Sequence, residues 1–517
     1  MTRPLPPLRA TTEPLPPRPA TTRPLPNARP SLPDRTACTA ATRLPSDADR
    51  LSPDADRLSP PTEQDTTVTD TKAAFTLDDT FTAVEATALV NRLRTTFRTG
   101  RTKPLAWRRQ QLTRLRELLT DNRAAIADAL YADLRKNRAE ADAMEIDLTI
   151  TEIDDYLEHL EEWTAPQPAP VTVPGLPGST ARTVFDPLGV ALVISAWNYP
   201  VNLLLVPVAG ALAAGNAVVI KPAEYAARTS ALLAELLPAY LDTDATAVVE
   251  GGAPETTALL EQHFDHIFYT GNGTVGRIVM TAAVKHLTPV VLELGGKSPV
   301  FVDRDADITT VAQRLAATKF ANAGQTCVAP DYVLTDPDTA TELQAALAVA
   351  LKGLFGEDPQ TSDAYGRVIN ERHFDRLSKL LGSGRTVTGG RSERADKYIA
   401  PTVLADVRPD EPVMQEEIFG PILPIVTVAD LDEAIAFING RDKPLALYAF
   451  TENDTTKRRL TAETSSGGLN FGLPMRHLAM PTLPFGGVGE SGMGNYHGRY
   501  SIETFSHRKA ILDVPLS

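Results

Sequence analysis

Residues 187–220 read PLGVALVISAWNYPVNLLLVPVAGALAAGNAVVI and contain no charged side chain. The apolar runs 190–195 and 217–220 are short, which predicts two buried strands, and the stretch 202–214 between them predicts a helix. A strand, a helix and a second strand in this order are typical of a parallel sheet that is covered on both faces.

The same uncharged run is long enough to cross a bilayer, so a membrane span is the alternative interpretation. However, it is interrupted by Asn198, Pro200, Asn202 and Pro207. These residues favour the strand–helix–strand unit of a soluble protein over a continuous apolar helix.

Outward from this stretch, the pattern of alternating strands and helices continues. Helices are predicted before it at 82–98, 104–121, 122–136 and 139–163. After it, strands are predicted near 246–250, 266–270 and 289–293, with helices at 228–239 and 274–285. A second alternating set occupies about 299–470, so the sequence predicts a doubly wound parallel sheet and a second α/β domain.

Length, charge and cysteine content exclude several classes of protein. The chain has 517 residues and a net charge of −14 with no basic block, which argues against nucleic acid and anionic membranes as partners. The two cysteines, Cys38 and Cys327, allow one disulfide at most, so a reducing cytoplasm is expected. The eight histidines form no HExxH or CxxC-type cluster, so no metal site is predicted.

Residues 1–75 differ in composition from the rest of the chain. They are rich in proline and contain two tandem repeats, which begin at Arg3 and at Asp47. Such a segment buries too little apolar surface to fold, so we expect disorder with polyproline II character. A tether, an SH3-type ligand, a targeting peptide and a dispensable tail are the alternatives for its role; the prolines oppose the amphipathic helix of a transit peptide.

One thiol and one carboxylate stand out in the remainder. Cys327 ends the segment Asn322-Ala-Gly-Gln-Thr-Cys327, and Glu293 begins Glu293-Leu-Gly-Gly-Lys-Ser-Pro299. A lone cysteine after a polar turn, with a glutamate between two apolar runs, suggests a nucleophile and a base for acyl chemistry through a thioester. The alternatives are an inert buried cysteine and an ion pair between Glu293 and Lys297.

A glycine-rich turn follows the strand that ends at Thr270. Its residues are Gly271, Asn272, Gly273, Thr274, Val275 and Gly276, which match the GxGxxG string of dinucleotide-binding folds. Glu293 lies about twenty residues further on, where that fold places a ribose ligand. Because Glu293 continues directly into Leu-Gly-Gly-Lys, a plain glycine turn is at least as good an interpretation. The helix N-terminus favours a phosphate nearby in either case.

An ordered set of motifs over about residues 80–510 resembles the aldehyde dehydrogenase superfamily, and within it the class 3 and fatty-aldehyde branch. Residues 1–75 match nothing in that family. The motifs include Ala196-Trp-Asn-Tyr-Pro200, Lys221-Pro-Ala-Glu224, Phe268-Tyr-Thr-Gly271, Glu293–Pro299, Gly324-Gln-Thr-Cys327, Gln415-Glu-Glu-Ile-Phe-Gly-Pro421 and Leu483–Gly494.

The resemblance implies that Cys327 attacks the aldehyde carbon as a thiolate. The side-chain amide of Asn198 and the backbone N–H of Cys327 would bind the oxyanion, and hydride loss to the nicotinamide would leave a thioester. Glu293 would then activate the water that hydrolyses it. Without the resemblance, Asn198 would be interpreted as a turn or cap residue.

The resemblance also implies an NAD site, with NADP possible. Lys221 and Glu224 resemble the pair that holds the adenosine ribose, where a carboxylate favours NAD by repelling the 2′-phosphate of NADP. A solvated helix start is the alternative for both. Glu417 and Phe419 resemble the nicotinamide-ribose ligand and the aromatic residue beside the nicotinamide, whereas Glu416 is expected to be structural.

The implied fold is α/β, with a doubly wound parallel-sheet cofactor domain, an α/β catalytic domain and a small β extension for oligomerisation. The expected boundaries are 76–294 for the cofactor domain, 295–478 for the catalytic domain and 479–517 for a return segment; residues 165–182 join the last segment in the extension. A cytoplasmic homodimer is expected. The apolar C-terminal tail of membrane-bound fatty-aldehyde relatives is missing before Ser517, which predicts a soluble protein.

The substrate class is less sharply defined. The resemblance points to medium or long aliphatic and aromatic aldehydes, with contacts expected from the loop 471–477. Gly472 and Pro474 depart there from the class 3 pattern, and His477 is either near the aldehyde or an ordinary loop residue. Two other functions stay open: a Cys–Glu thioester hydrolase or acyltransferase without hydride transfer, and a catalytically silent cofactor-binding structural protein.

Overall fold

The computed structural model describes residues 81–516. The predictions for the proline-rich segment 1–75, and Cys38 within it, lie outside the described residues. The described part begins with α1 (Ala83–Arg98), α2 (Leu105–Asp121), α3 (Arg123–Leu134), α4 (Arg138–Ala141), a π-helical turn (Asp142–Ile146) and α5 (Asp147–Thr164). The single helix predicted over 139–163 is therefore interrupted by a π-helical turn, a feature that is frequent at functional sites.

The first sheet is built from the predicted alternation of strands and helices. Two strands that belong to another sheet come first: β1 (Gln167–Ala169) and β2 (Thr180–Pro187). The strands of the first sheet and the helices between them follow: β3 (Val190–Ile194), α6 (Asn202–Ala214), β4 (Ala217–Lys221), α7 (Ala227–Tyr240), β5 (Thr246–Val248), α8 (Ala253–Leu260), β6 (His266–Thr270), α9 (Gly273–Val284) and β7 (Val290–Glu293). The short helix α8 was not predicted.

The strand order of this sheet is β7-β6-β3-β4-β5, and all of these pairs are parallel. The chain moves outward from β3 through β4 to β5 and then returns to β6 on the other side of β3. The switch point, where ligands bind in open α/β sheets, therefore lies at the carboxyl ends of β3 and β6.

Helix α6 is apolar on every face and is buried from Leu204 to Ala214. It packs against α2, α5 and α15 (Gly498–Thr504). Gly210 permits this close approach, because a Cβ atom there would lie 2.7 Å from the Cβ of Ser501. The uncharged run 187–220 thus forms buried strands and a buried helix, and no helix among residues 81–516 is long and apolar enough to cross a membrane.

A second α/β unit follows. Its elements are β8 (Pro299–Val302), α10 (Ile308–Lys319), a 3-10 turn (Ala321–Gly324), β9 (Tyr332–Thr335), α11 (Pro337–Phe355), α12 (Glu371–Ser378), a 3-10 turn (Lys379–Gly382), β10 (Arg385–Thr388), β11 (Ser392–Glu393), β12 (Tyr398–Ile399), β13 (Thr402–Ala405), a 3-10 turn (Pro412–Met414), β14 (Ile422–Thr427), α13 (Leu431–Asn439), β15 (Ala446–Phe450), α14 (Asp454–Glu463) and β16 (Gly468–Phe471). The seven-stranded sheet has the order β10-β13-β14-β9-β8-β15-β16, in which β10 is antiparallel to β13 and the other pairs are parallel.

The last segment returns to the first sheet. After a 3-10 turn (Arg476–Ala479), β17 (Gly492–Met493) pairs antiparallel with β7, so that Gly492 lies opposite Glu293. Beyond α15, β18 (Ser506–Asp513) runs antiparallel along β2, which also pairs with β1. This three-stranded sheet lies where the oligomerisation extension was predicted. The predicted domain boundaries and the role of this sheet stay predictions.

Candidate active site

Three predicted residues lie at the carboxyl ends of neighbouring strands of the first sheet. Asn198 follows β3, Gly271 follows β6, and Glu293 is the last residue of β7. The backbone N–H of Gly271 donates to the backbone oxygen of Glu293 at 2.9 Å. The parallel register therefore fixes the glycine-rich turn and the glutamate relative to each other.

The loop that carries Cys327 has a strained backbone. Asn322, Ala323 and Gly324 have φ angles of 50°, 51° and 73°, all in the left-handed region. Non-glycine residues occupy this region at a cost in free energy and persist where surrounding contacts enforce it. The enforcing contacts come from Gln325, whose side-chain amide nitrogen donates to the backbone oxygens of Asn322 and Arg367 at 3.0 and 2.9 Å. Cys327 is thus presented from a rigid turn.

The cleft that contains the thiol also contains the predicted base. Cys327 and Glu293 both line it, and its walls are largely apolar: Met144, Leu148, Leu203, Leu294, Leu478, Phe485 and Tyr496. Both carboxylate oxygens of Glu293 are buried, and neither has a hydrogen-bond partner among the described residues. Burial raises the pKa of Glu293 well above its usual range. A carboxyl group of this kind is a stronger base than an exposed glutamate.

Lys297 does not neutralise Glu293. Its ammonium group pairs with Asp331 and donates to the backbone oxygens of Val413 and Glu416 at 2.8 and 2.9 Å. The alternative of an ion pair between Glu293 and Lys297 is therefore wrong, and the Glu293 carboxyl group is left available in the cleft.

The electrostatics of the cleft keep the Cys327 thiol protonated. Burial, followed by the carboxylates of Glu417 and Glu293, raises the pKa of Cys327 to about 12. The backbone N–H groups of Cys327 and Val328 oppose this shift. Because the thiolate is the nucleophilic form, attack requires that a nearby base accept the proton.

The side chain of Asn198 is buried next to the Cys327 loop. Its Nδ2 atom donates to the backbone oxygen of Gln325 at 3.0 Å. An amide nitrogen carries two hydrogens, so this bond leaves the second one available. The arrangement places an amide donor close to the residue that would carry a developing oxyanion.

The glycine-rich turn is explained first by packing. A Cβ atom at Gly271 would lie 2.2 Å from the hydroxyl oxygen of Tyr269, and one at Gly276 would lie 2.9 Å from a methyl carbon of Leu294. Helix α9 begins at Gly273, and its cap Asn272 accepts from the N–H of Val275 at 3.0 Å. Thr274, in the first turn, is exposed. The amino end of a twelve-residue helix is thus open for a phosphate group.

Lys221 ends β4, on the other side of β3. Its buried ammonium group donates to the oxygen of Pro222 at 2.7 Å and lies 3.9 Å from a carboxylate oxygen of Glu224. The side chain of Glu224 is 45% exposed. Burial lowers the pKa of Lys221, although nearby carboxylates including Glu224 oppose the shift. The Lys221 ammonium group, which is anchored at the sheet, and the Glu224 carboxylate, which faces solvent, suit the ribose and phosphate of a nucleotide.

Glu417 and Phe419 approach the cleft from the second α/β unit. A Cβ atom at Gly295 would lie 1.8 Å from a carboxylate oxygen of Glu417, so the carboxyl group packs directly on the segment after Glu293. Burial raises the pKa of Glu417 to about 8. The ring of Phe419 meets the ring of Trp197 edge-on, with centroids 5.4 Å apart. These contacts bring both residues close to the loops that carry Glu293 and Asn198.

Sequence reasoning missed two buried pairs of polar side chains beside this cleft. Lys136 Nζ lies 2.6 Å from Glu145, and His497 Nδ1 lies 3.0 Å from Glu152. All four side chains are less than one-tenth exposed. Charged and polar residues are mostly exposed in proteins, so no signal in the sequence distinguished these four.

His477, which the sequence left undecided, lies behind the cleft wall. Its Nδ1 atom is 2.8 Å from the amide nitrogen of Asn470, and its ring stacks on Phe485 at 5.6 Å. Phe485 and Leu478, rather than His477, line the cleft.

Comparison with known proteins agrees with this geometry. Residues 67–511 match the sequence profile of the aldehyde dehydrogenase family, so the expectation that residues 1–75 match nothing in this family is wrong for residues 67–75. The mouse protein named "Aldehyde dehydrogenase, dimeric NADP-preferring" is 50% identical over 82% of this chain and 94% of its own. Human "Aldehyde dehydrogenase family 3 member B1" is 51% identical over 82% of this chain and 90% of its own.

Two solved structures show the same fold. A substrate-bound AldH of Staphylococcus aureus superposes with a TM-score of 0.81 at 42% identity, covering 83% of this chain and 94% of its own. A Mycobacterium tuberculosis aldehyde dehydrogenase complexed with NAD+ gives a TM-score of 0.75 at 27% identity, covering 83% and 90%. The fold class and reaction class predicted from the sequence are confirmed. The chain therefore belongs to the aldehyde dehydrogenase family, as an NAD(P)-dependent enzyme that oxidises aldehydes.

Proposed function

We propose that this chain oxidises its aldehyde through a thioester on Cys327, with Glu293 as the base and Asn198 as an oxyanion donor. The observation that supports this assignment most strongly is that a thiol and a buried carboxyl group, which has no hydrogen-bond partner within residues 81–516, line one narrow cleft. A general base must reach the reacting proton directly or through one water, and a shared cleft allows this.

The residues act in a definite order. The Cys327 thiol gives its proton to a water molecule in the cleft, and the thiolate attacks the aldehyde carbon to form a thiohemiacetal. The negative oxygen that develops is held by the Asn198 amide and the Cys327 N–H. After oxidation, Glu293 accepts a proton from water, the water oxygen bonds to the thioester carbon, and the carbon–sulfur bond breaks to release the acid.

The cofactor site is proposed at the switch point. NAD(P), when bound, supplies the hydride acceptor. The amino end of α9 at Gly271–Gly276 would bind its phosphates, and Lys221 and Glu224 would hold the adenosine ribose. Glu417 would bind the second ribose, with Phe419 against the nicotinamide. The mouse relative is named NADP-preferring, so we propose that both cofactors are accepted and that Glu224 sets the ratio.

Medium or long aliphatic and aromatic aldehydes are the proposed substrates. The cleft is narrow, and leucine, methionine, phenylalanine and tyrosine side chains form most of its wall. Such a wall favours an apolar substrate through the burial of surface.

A cytoplasmic homodimer is the proposed form of the protein. The mouse and dog relatives are named dimeric. The three-stranded sheet of β1, β2 and β18 presents two edge strands, and β18 is mostly exposed. Edge strands are sites at which another chain can pair. Light scattering of the purified protein tests the dimer.

The proposed chemistry is tested by trapping the thioester. Glu293→Gln removes the base but keeps the size of the side chain, so aldehyde and NAD(P) should yield one equivalent of NAD(P)H and a stalled acyl group on Cys327. Mass spectrometry of the Cys327 peptide measures the acyl mass. Glu416→Gln, the same change at an exposed residue, serves as the matched control and should turn over normally. Steady turnover by Glu293→Gln without an acyl adduct would contradict the assignment.

A further inference from the structure

The buried ion pair of Lys136 and Glu145 lies directly behind the Asn198 segment. Its Nζ–Oε1 distance is 2.6 Å, and neither side chain is exposed to solvent. Lys136 follows α3, whereas Glu145 lies in the π-helical turn before α5. Burying two charges requires that both be desolvated, and apolar residues of the same volume frequently stabilise a fold as well or better. A role in positioning other groups therefore explains this buried pair better than a contribution to stability does.

Each partner holds a different part of the loop between β3 and α6. Lys136 Nζ donates to the backbone oxygen of Asn198 at 3.0 Å, and it lies 4.0 Å from the ring centre of Tyr199. Glu145 Oε2 accepts from the N–H groups of Val201 and Asn202 at 3.1 and 3.0 Å. The pair therefore clamps the segment 198–202 on both sides of Pro200.

The same segment is connected to the Cys327 loop. The backbone oxygen of Asn198 also accepts from the side-chain amide of Asn322 at 2.8 Å, and the Asn198 side-chain amide donates to the backbone oxygen of Gln325. The Tyr199 hydroxyl lies 2.7 Å from the Thr326 hydroxyl. A shift of the Asn198 peptide would thus move the amide donor relative to Cys327.

We infer that Lys136 and Glu145 are positioning residues that fix the Asn198 amide at the oxyanion. This inference rests on the proposed role of Asn198. Neither residue touches the substrate; both act through Asn198. Misplacement of a catalytic group by about 1 Å costs on the order of 100-fold in rate. We therefore expect Lys136→Met to lower kcat by about 100-fold with little change in the Kd for NAD(P).

The test is a double-mutant cycle between Lys136→Met and Asn198→Ala. Asn198→Ala alone should lower kcat by about 100- to 1,000-fold, as the loss of one oxyanion donor does in other enzymes. If Lys136 acts through Asn198, Lys136→Met should cause almost no further loss in the Asn198→Ala background. Losses that multiply would show that Lys136 acts independently and would overturn the inference.

A second readout separates positioning from a general structural effect. Alkylation of Cys327 by iodoacetamide needs the thiolate but no oxyanion donor. The alkylation rate of Lys136→Met should therefore equal that of the wild-type enzyme, while its kcat falls. A parallel fall in alkylation rate would indicate a merely structural role.

Arg94→Met provides a matched control, because it breaks the partly buried Arg94–Asp265 pair (2.6 Å) at the amino end of β3. This control should retain full kcat. If Lys136→Met does not fold, Glu145→Gln enters the same cycle, since it removes the charge while keeping the length of the side chain. A normal kcat in Asn198→Ala would refute the proposed oxyanion role of Asn198. Losses that multiply in the double variant would instead refute only the positioning role of Lys136.

Discussion

The side-chain amide of Asn198 donates a hydrogen bond to the backbone oxygen of Gln325, 3.0 Å away and two residues before Cys327. The bond joins the loop after β3 to the strained turn that presents the thiol. The bond therefore holds two segments that are far apart in the sequence at a fixed position relative to each other. The rigidity of the Cys327 turn should control both the stability of the enzyme and its activity.

Gly324→Ala tests that rigidity. A Cβ atom at Gly324 would lie 2.2 Å from the oxygen of Gly420, and the residue has a φ of +73°. We expect a loss of more than about 1 kcal/mol in unfolding free energy together with a fall in kcat. Gly353→Ala in α11 is the control. A Cβ atom there meets nothing within 4 Å, so this change should stabilise the protein by about 0.5–1 kcal/mol. Urea unfolding measures the free energy of unfolding of both variants. Equal changes in Gly324→Ala and Gly353→Ala would contradict the prediction.

Glu293→Gln should stabilise the protein, and increasingly so as the pH rises. Burial raises the pKa of Glu293 in the folded protein, so the folded state binds this proton more tightly than the unfolded state. Its contribution to stability is therefore complete below the unfolded pKa, near the ordinary 4.5, and is lost as the pH rises to the folded pKa. The slope is about 1.4 kcal/mol per pH unit between those two values.

The measurement is the melting temperature of wild type and Glu293→Gln over a pH series. The stability advantage of the variant should be small in acid and larger at neutral and alkaline pH. A pH-independent difference would show that Glu293 is not the desolvated, unpaired acid described above.

Glu417→Gln should make the Cys327 thiol more reactive, but only in alkali. The Glu417 carboxylate contributes to raising the pKa of Cys327. Its own pKa is about 8, so Glu417 carries its charge only above that pH. Iodoacetamide should therefore alkylate the variant faster than wild type above this pH and at a similar rate below it. Glu416→Gln should match wild type throughout, and slower alkylation of Glu417→Gln would contradict the electrostatic account.

Glu224→Gln should shift cofactor use toward NADP. The wild-type carboxylate lies 3.9 Å from Lys221, and removing its charge leaves the lysine free to attract a 2′-phosphate. Because the side chain is partly exposed, solvent screening should keep the change modest. The ratio of kcat/KM for NADP and NAD measures it, with Glu235→Gln on the exposed side of α7 as the control. An unchanged ratio would place Glu224 outside the ribose site.

Much of this arrangement could be predicted from the sequence, because apolar periodicity reports local structure directly. The strands β3, β4 and β6 and the helices α6 and α9 lie within a few residues of their predicted bounds. The pairing of Cys327 with Glu293 followed from their residue types and from the family resemblance. The structure adds that both line one cleft.

Other features depend on tertiary contacts that the sequence does not encode locally. The sequence carries no signal for the burial of Lys136 and Glu145, because it depends on the loop between β3 and α6 packing against both side chains. The left-handed conformation of Asn322 and Ala323 is imposed by Gln325 and its partners rather than by their own preferences. The short helix α8 was missed because its eight residues give too little periodicity.

The proposed mechanism depends most directly on Cys327. The most direct measurement is NADH and NADPH formation by wild type and Cys327→Ala on a panel of aliphatic and aromatic aldehydes, with cofactor affinity measured alongside. If Cys327 is the nucleophile, wild type turns over, Cys327→Ala does not, and both bind the cofactor with the same Kd. Turnover by Cys327→Ala at the wild-type rate would contradict this mechanism.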